Sequence, residues 1–369
     1  MPISPRSLAW GNKEGILILK QLCEAPGPSG HEDGVRQVVI DAIKEHVDEY
    51  RVDALGNLIA LKKGRGDVPA GGPRKVMVAA HVDEVALMIA QIGKDGLLRF
   101  RRVGGIDERV LMSKQVLIGD KRVPGVIGYK PIHLLKPRER EQVVASDEMT
   151  IDIGVTSEEA AKGLVNVGDY AVFATAFETL GDGRMVKGKA LDDRAGCAVL
   201  VELLRAGPYR FDLYGVFTTQ EEVGLRGARV AAFAVAPDAA FALEGTICDD
   251  LPKEQDVSPT TELGKGPAIT IADRSVIADR RLVKLLVETA QAEGIPYQFK
   301  QPMIGGTDAG AIHLSQAGIP ACTVAVPARY IHSPVSLLSL DDFDHTVKLM
   351  HAALGRLAEM DLTQGGQVS

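Results

Sequence analysis

No apolar run in this 369-residue chain approaches the roughly 18 residues that a membrane-spanning helix requires. The segment Met1–Trp10 also lacks the basic-then-apolar plan of a secretion signal. Basic charge is in deficit: 42 Lys and Arg stand against 49 Asp and Glu, so no excess exists to neutralise a phosphate backbone. These shortages argue against membrane and nucleic acid as partners and predict a cytoplasmic protein. Four cysteines (Cys23, Cys197, Cys248 and Cys322) lie scattered without paired spacing, which excludes a disulfide framework and a thiolate zinc site. They read as reduced fillers of packed positions. Internal repeats and low-complexity tracts are missing as well. What is present is ordinary for a globular protein: 46% hydrophobic and 25% charged residues, in a chain long enough for one large domain or two of usual size.

Ser29-Gly30-His31-Glu32 has the spacing of a capping box, and Val35, Val38, Ala42 and Val47 recur at helical intervals, so a helix is predicted over about 30–46. Two strands joined by a turn at Asp53-Ala54-Leu55-Gly56-Asn57 are expected next. Val76-Met77-Val78-Ala79-Ala80 is a continuous apolar run of the kind buried on both faces in a parallel sheet, and it ends at His81-Val82-Asp83-Glu84. Three later runs repeat the plan: Tyr214–Thr218 leads into Glu221-Glu222, Ala239–Leu243 into Glu244, and Thr323–Val326 toward His332. Helical patterns separate them at Arg194–Leu204, Arg280–Ala292 and Ala309–Gln316, the last with Thr307 or Asp308 as cap, and a final helix is expected over Asp341–Met360 before a polar tail.

The alternation predicts an α/β fold with a mixed, mostly parallel sheet and helices on both faces. Residues 85–175 break the pattern with short alternating runs punctuated by Gly and Pro, and read as an inserted β-rich, barrel-like domain. The α/β domain is then discontinuous, formed by residues 1–84 and 176–369.

In an open α/β sheet, ligands gather beyond the carboxyl ends of the strands, where His81, Glu221, Glu222, Glu244 and His332 all fall. Asp192-Asp193 directly precedes a helix. Taken singly, each has a bland reading: a helix cap, an exposed acidic pair, a turn residue. Together, two imidazoles and several carboxylates form a sensible shell for two divalent cations such as zinc, cobalt or manganese, whose charge the carboxylates offset. Asp83, two residues after His81, is placed to orient its imidazole. Of the adjacent glutamates, one can bind a cation while the other acts as base toward water, a division of labour that fits metal-assisted hydrolysis. Ser333 has no motif around it to suggest an activated hydroxyl.

The set His81-x-Asp83, Asp192-Asp193, Glu221-Glu222, Glu244 and His332 resembles the shared site of the co-catalytic metallo-aminopeptidases and their carboxypeptidase relatives. The long interval lies between His81 and Asp192, whereas that between Glu244 and His332 is filled by helix and strand patterns. With Gly56–Ile59, Lys189–Arg194, Gly305–Ala309 and Arg329–Pro334, this arrangement is similar to the glutamyl aminopeptidase/deblocking aminopeptidase family of tetrahedral particles, some members of which carry an endoglucanase label. The resemblance implies that Asp192 bridges two metals, that His81 and Glu244 complete one shell and Glu222 and His332 the other, that Glu221 is the general base, and that Asp83 orients His81. It implies hydrolysis of the N-terminal bond of short peptides, and pairing through the inserted domain into dimers and then a dodecamer. The rival readings are a deacylase or carboxypeptidase on the same two metals and, more remotely, a non-catalytic scaffold.

Overall fold

The computed structural model describes residues 13–252 and 260–362; Met1–Trp10 and the tail beyond Leu362 lie outside the described residues. Helices α1 (Lys13–Glu24) and α2 (Asp33–Ile43) precede strands β1 (Glu49–Val52), β2 (Leu58–Lys62) and β3 (Lys75–His81). The β1–β2 turn forms because the Asp53 carboxylate accepts from the amides of Leu55 and Asn57, and Gly56 supplies the left-handed φ of +96°. The chain then enters a closed barrel of β4 (Ala86–Ile92), β5 (Leu98–Val103), β6 (Gln115–Ile118), β7 (Val123–Gly128), β8 (Thr150–Asp152) and β9 (Tyr170–Phe173), ordered β4-β5-β8-β7-β6-β9. Short helices α3 (Pro137–Arg140) and α4 (Glu158–Lys162) decorate it.

After the barrel come β10 (Glu178–Leu180), β11 (Met185–Gly188), α5 (Leu191–Arg205), β12 (Asp212–Thr218), α6 (Arg226–Val235), β13 (Ala239–Ile247) and β14 (Ala268–Thr270). They are followed by α7 (Arg280–Glu293), β15 (Gln298–Lys300), α8 (Ala309–Ile312), β16 (Ala321–Arg329), β17 (Ser336–Ser339) and α9 (Leu340–Leu357). The large sheet runs β1-β2-β12-β3-β13-β16-β17-β11-β10, parallel at its centre from β12 to β16 and antiparallel toward both edges. Its central strands β3, β12, β13 and β16 are largely buried on both faces, as their apolar runs require, whereas the edge strand β1 is exposed. Along β3, Val76, Val78 and Ala80 pack with α1, α2, α5, α7 and α9, while Met77 and Ala79 pack with α6 and α8. The barrel closes around a core of its own that includes Leu87, Leu98, Phe100, Val116, Ile127 and Ile151.

The expected α/β class with helices on both faces is therefore present. Several local expectations needed correction. The helix near residue 30 begins only at Asp33, because the predicted capping box is diverted: Ser29 Oγ donates to Asp83 and Glu32 Oε1 accepts from the amides of Gly30 and Gln220. The Ala309 helix stops at Ile312 and has no side-chain cap from Asp308, whose carboxylate accepts from Thr218 instead. Helices α1 and α6 were not anticipated, and α9 ends at Leu357.

Candidate metal centre

The parallel core fixes where the polar groups meet. His81 closes β3 in register with Thr218 of β12, and Glu244 lies on β13 beside them. Glu221 and Glu222 follow β12 after Gln220, which turns the chain at a positive φ of 55°. Asp192 enters at the head of α5, with non-helical dihedrals that carry its side chain toward the strand ends. Gly245 makes room for it: a Cβ there would sit 2.9 Å from the Asp192 Cα. His332 stands on the turn after β16 with a φ of +56°.

Every predicted site residue arrives in one place. The two carboxylate oxygens of Asp192 each lie 3.4 Å from an imidazole, Oδ1 from His81 Nε2 and Oδ2 from His332 Nε2. Glu244 Oε2 is 3.5 Å and Glu221 Oε2 4.0 Å from His81 Nε2; Glu222 Oε2 is 3.7 Å from His332 Nδ1. Two triads have ligand atoms that all lie within 4.8 Å of one another: His81, Asp193 and Glu244, and Asp192, Glu222 and His332. Asp193 is the unanticipated member, yet its two oxygens already accept from the amides of His81 and Gly196, which leaves Asp192 as the freer carboxylate between the imidazoles.

Asp83 is fully buried and ties three segments together. Its Oδ1 accepts from the Glu221 amide at 3.0 Å, and its Oδ2 from Ser29 Oγ at 2.6 Å and the Glu222 amide at 3.2 Å. His81 Nδ1 lies 3.2 Å from the Asp83 carbonyl and 3.4 Å from its carboxylate, so Nε2 is the atom turned to the site. Asp308 anchors the far wall, its amide donating to Glu244 Oε1 at 3.1 Å. Behind the site, Glu84 is buried against Lys189 at 2.6 Å and Arg194 at 3.4 Å, joining the His81 segment to the Asp192 segment. Ser333 Oγ lies 2.7 Å from the carbonyls of Tyr330 and Val335 and serves its turn.

The electrostatics describe a place short of positive charge. Burial, with Glu244, Asp308 and Glu222 nearby, pushes the Glu221 carboxyl well above the usual range, and burial with Asp193, Asp308 and Asp192 does the same to Glu244. Glu222 is raised to about 7 by burial and by Asp192 and Asp83. Burial alone would lower both imidazoles, but the carboxylates outweigh it: His81 rises well above its ordinary value and His332 to about 10. Asp192 is held low because the two imidazoles overcome its burial. Divalent cations would supply the missing charge, and the donor set of imidazole nitrogens and carboxylate oxygens suits them.

Comparison with known proteins agrees with this geometry. The family model for M42 glutamyl aminopeptidases matches residues 56–349. The lysyl aminopeptidase of Pyrococcus furiosus is 35% identical over 353 residues, which cover 94% of this chain and 98% of that protein. The TET aminopeptidase structure of the marine sediment archaeon Thaumarchaeota archaeon SCGC AB-539-E09 superposes with a TM-score of 0.89 at 38% identity, covering 95% of this chain and 99% of the other. That of the Pyrococcus horikoshii TET1 peptidase, which can assemble into a tetrahedron or a large octahedral shell, gives 0.80 at 37% identity, with 92% and 98% covered. The chain belongs to the M42 glutamyl aminopeptidase family of peptide-bond hydrolases.

Proposed function

We propose that this chain is a two-metal aminopeptidase that removes the first residue of short peptides. The observation that carries the reading is Asp192, with one carboxylate oxygen 3.4 Å from each imidazole. In this reading two divalent cations, zinc first and cobalt or manganese as substitutes, would be held by Asp192 from between them, with His81 and Glu244 on one side and Glu222 and His332 on the other. Bound cations would polarise the scissile carbonyl and acidify the attacking water.

The chain's own groups do the rest. Glu221 is held by its amide on Asp83, and its carboxylate, 4.0 Å from His81 Nε2, stands beside the centre without being counted among the ligands. It takes the proton from water and returns it to the departing amine. Asp83 fixes the ring of His81 and the peptide carrying both glutamates. Membership of the M42 family, with lysyl and glutamyl aminopeptidases among its relatives, favours an aminopeptidase over a deacylase or carboxypeptidase.

Assembly belongs to the same proposal. Residues 85–175 act as the pairing domain, supported by the exposed apolar side chains of Ile132, Leu134 and Val143 and by the shells formed by the Pyrococcus horikoshii relative, and lead through dimers to a dodecamer. The cysteines, buried at 23, 197 and 322 and free of disulfides, suit the cytoplasm.

The test compares a free-amine peptide with its N-acetylated and C-terminally amidated forms, before and after removal of cations. Cleavage of the free-amine and amidated peptides only, abolished by chelation and restored by zinc, is expected. Glu221→Gln should lose about 10²–10⁴-fold in rate and keep its cations. Full activity in metal-free protein, or preference for the acetylated peptide, would overturn the proposal.

A further inference from the structure

The two imidazoles of the centre are oriented from different parts of the fold. His81 is 2% exposed and is turned by Asp83 from its own strand end. His332 has 41% of its side chain exposed, on a turn at positive φ, and its Nδ1 donates to the carbonyl of Gly105 at 2.8 Å. Gly105 lies beyond β5, on the barrel side of the molecule. Its loop is fastened to the barrel: Arg102 donates to the Ile106 carbonyl at 2.7 Å, the Ile106 side chain is packed in the barrel core, and Asp107 caps the short turn that follows. The preceding Gly104 lies against the other half of the same pair, where an added Cβ would be 3.3 Å from the Glu222 Cβ. A second clasp comes from the opposite end of the insertion. Thr175 Oγ1 donates to the Pro334 carbonyl at 2.7 Å, two residues past His332.

We propose that the inserted barrel is a working wall of the Glu222–His332 cation site: the Gly105 carbonyl fixes which ring nitrogen His332 offers, and Gly105 and Thr175 together set where its turn stands. The inference rests on the reading of Glu222 and His332 as ligands. Its physical basis is that a ligating imidazole needs its other ring N–H held, and loss of such an outer partner costs about 10–100-fold in metal affinity. The His81–Glu244 side needs no such help, because Asp83, Asp308 and the parallel strands hold it within the core. The two cation positions therefore differ in what maintains them. Any displacement of the barrel against the sheet reaches one position and spares the other.

The experiment is a zinc titration of the full-length, chelator-stripped protein, read as cations bound per chain after equilibrium dialysis, with circular dichroism to confirm folding. Gly105→Ala places a methyl carbon 3.3 Å from His332 Nδ1, closer than such a contact normally settles, and pushes the ring off its carbonyl. One of the two zinc ions should bind about 10–100-fold more weakly, with the other unchanged. Thr175→Val, which removes the clasp without touching either ligand, should shift the same ion in the same direction by a smaller factor. Gly128→Ala, on a barrel strand with nothing within 4 Å of the added Cβ, should leave both affinities alone. His332→Ala separates the two levels of the argument. If it still binds two zinc ions tightly, the ligand assignment is wrong. If it loses one while both Gly105→Ala and Thr175→Val bind two with wild-type affinity, the ligands stand and the barrel's role is refuted. Equal weakening of both ions in Gly105→Ala would also refute it.

Discussion

Replacing Asp83 by Asn tests how much of the centre depends on one carboxylate that touches no substrate. Asn keeps the shape but turns one of two accepting oxygens into a donor. If the amide nitrogen takes the Oδ2 position, the Ser29 hydroxyl can rotate to accept from it, but the Glu222 amide faces a donor. If it takes the Oδ1 position, the Glu221 amide is stranded and the His81 ring loses its charged neighbour. Either way a buried N–H loses its acceptor, which costs about 1–3 kcal/mol. One of the two glutamates moves with its peptide, and the imidazole is left less basic, so cation affinity should drop about 10–100-fold. The assays are equilibrium cation content, kcat against added zinc, and the guanidinium midpoint of the stripped protein. Saturating zinc should restore only part of kcat, because the displaced glutamate is not repaired by cations. Ser29→Ala provides the contrast: it removes the 2.6 Å bond, a stability cost of about 1.5–3 kcal/mol, yet leaves both amides their acceptors, so kcat should fall little. Wild-type kcat and cation content in Asp83→Asn would refute the reasoning, as would an equal loss of kcat in Ser29→Ala.

Cation binding should release protons. In the cation-free chain His332 is raised to about 10 and Glu222 to about 7, so loading at pH 8 must strip the imidazole, and a pH indicator in weak buffer reads the release; its absence would contradict the crowding described above. The raised His332 value stabilises the stripped protein fully below the unfolded imidazole value near 6.5, and that stability is lost as pH climbs toward 10. Glu222 acts in the same direction between its unfolded value near 4.5 and 7, so the denaturation midpoint of stripped protein should fall from pH 6 to pH 10. Behind the centre, Glu84→Gln strands two buried cations, Lys189 and Arg194, and should cost about 3–5 kcal/mol, whereas Lys189→Met leaves Glu84 still facing Arg194 and should cost less; the reverse order in urea unfolding would show that the pair does not work as a unit.

The sequence was most legible where one strand carries both the signal and its consequence. The run Val76–Ala80 had to be buried on both faces, and a polar group at its end had to stand at the edge of the sheet, so His81 became a candidate, convincing only in combination with the others. The same holds for Glu221, Glu222 and Glu244. Asp192 was harder, because Asp192-Asp193 before a helix reads equally as a cap. In the fold the two divide the roles: Asp193 accepts from backbone amides while Asp192 faces the imidazoles. Ser29 shows the reverse failure. Its capping-box spacing is a local signal, and a tertiary partner, Asp83, outcompetes it with a charged, buried acceptor.

Alternating apolar runs, strand-end acids and imidazoles, and the placement of the insertion are properties of local sequence. By themselves they indicated the α/β class, a candidate set of ligand residues and the kind of chemistry such residues support, while the role of each came from a family resemblance. Only the tertiary structure decided which atoms meet. That Asp83 holds two glutamate amides, that Glu84 lies against Lys189 and Arg194, and that the carbonyl of Gly105 reaches His332 are contacts between segments far apart in the chain. A backbone carbonyl carries no side-chain identity, so no pattern of residue types could announce that contact. The position of the barrel against the sheet sets it, and packing of the whole molecule fixes that position.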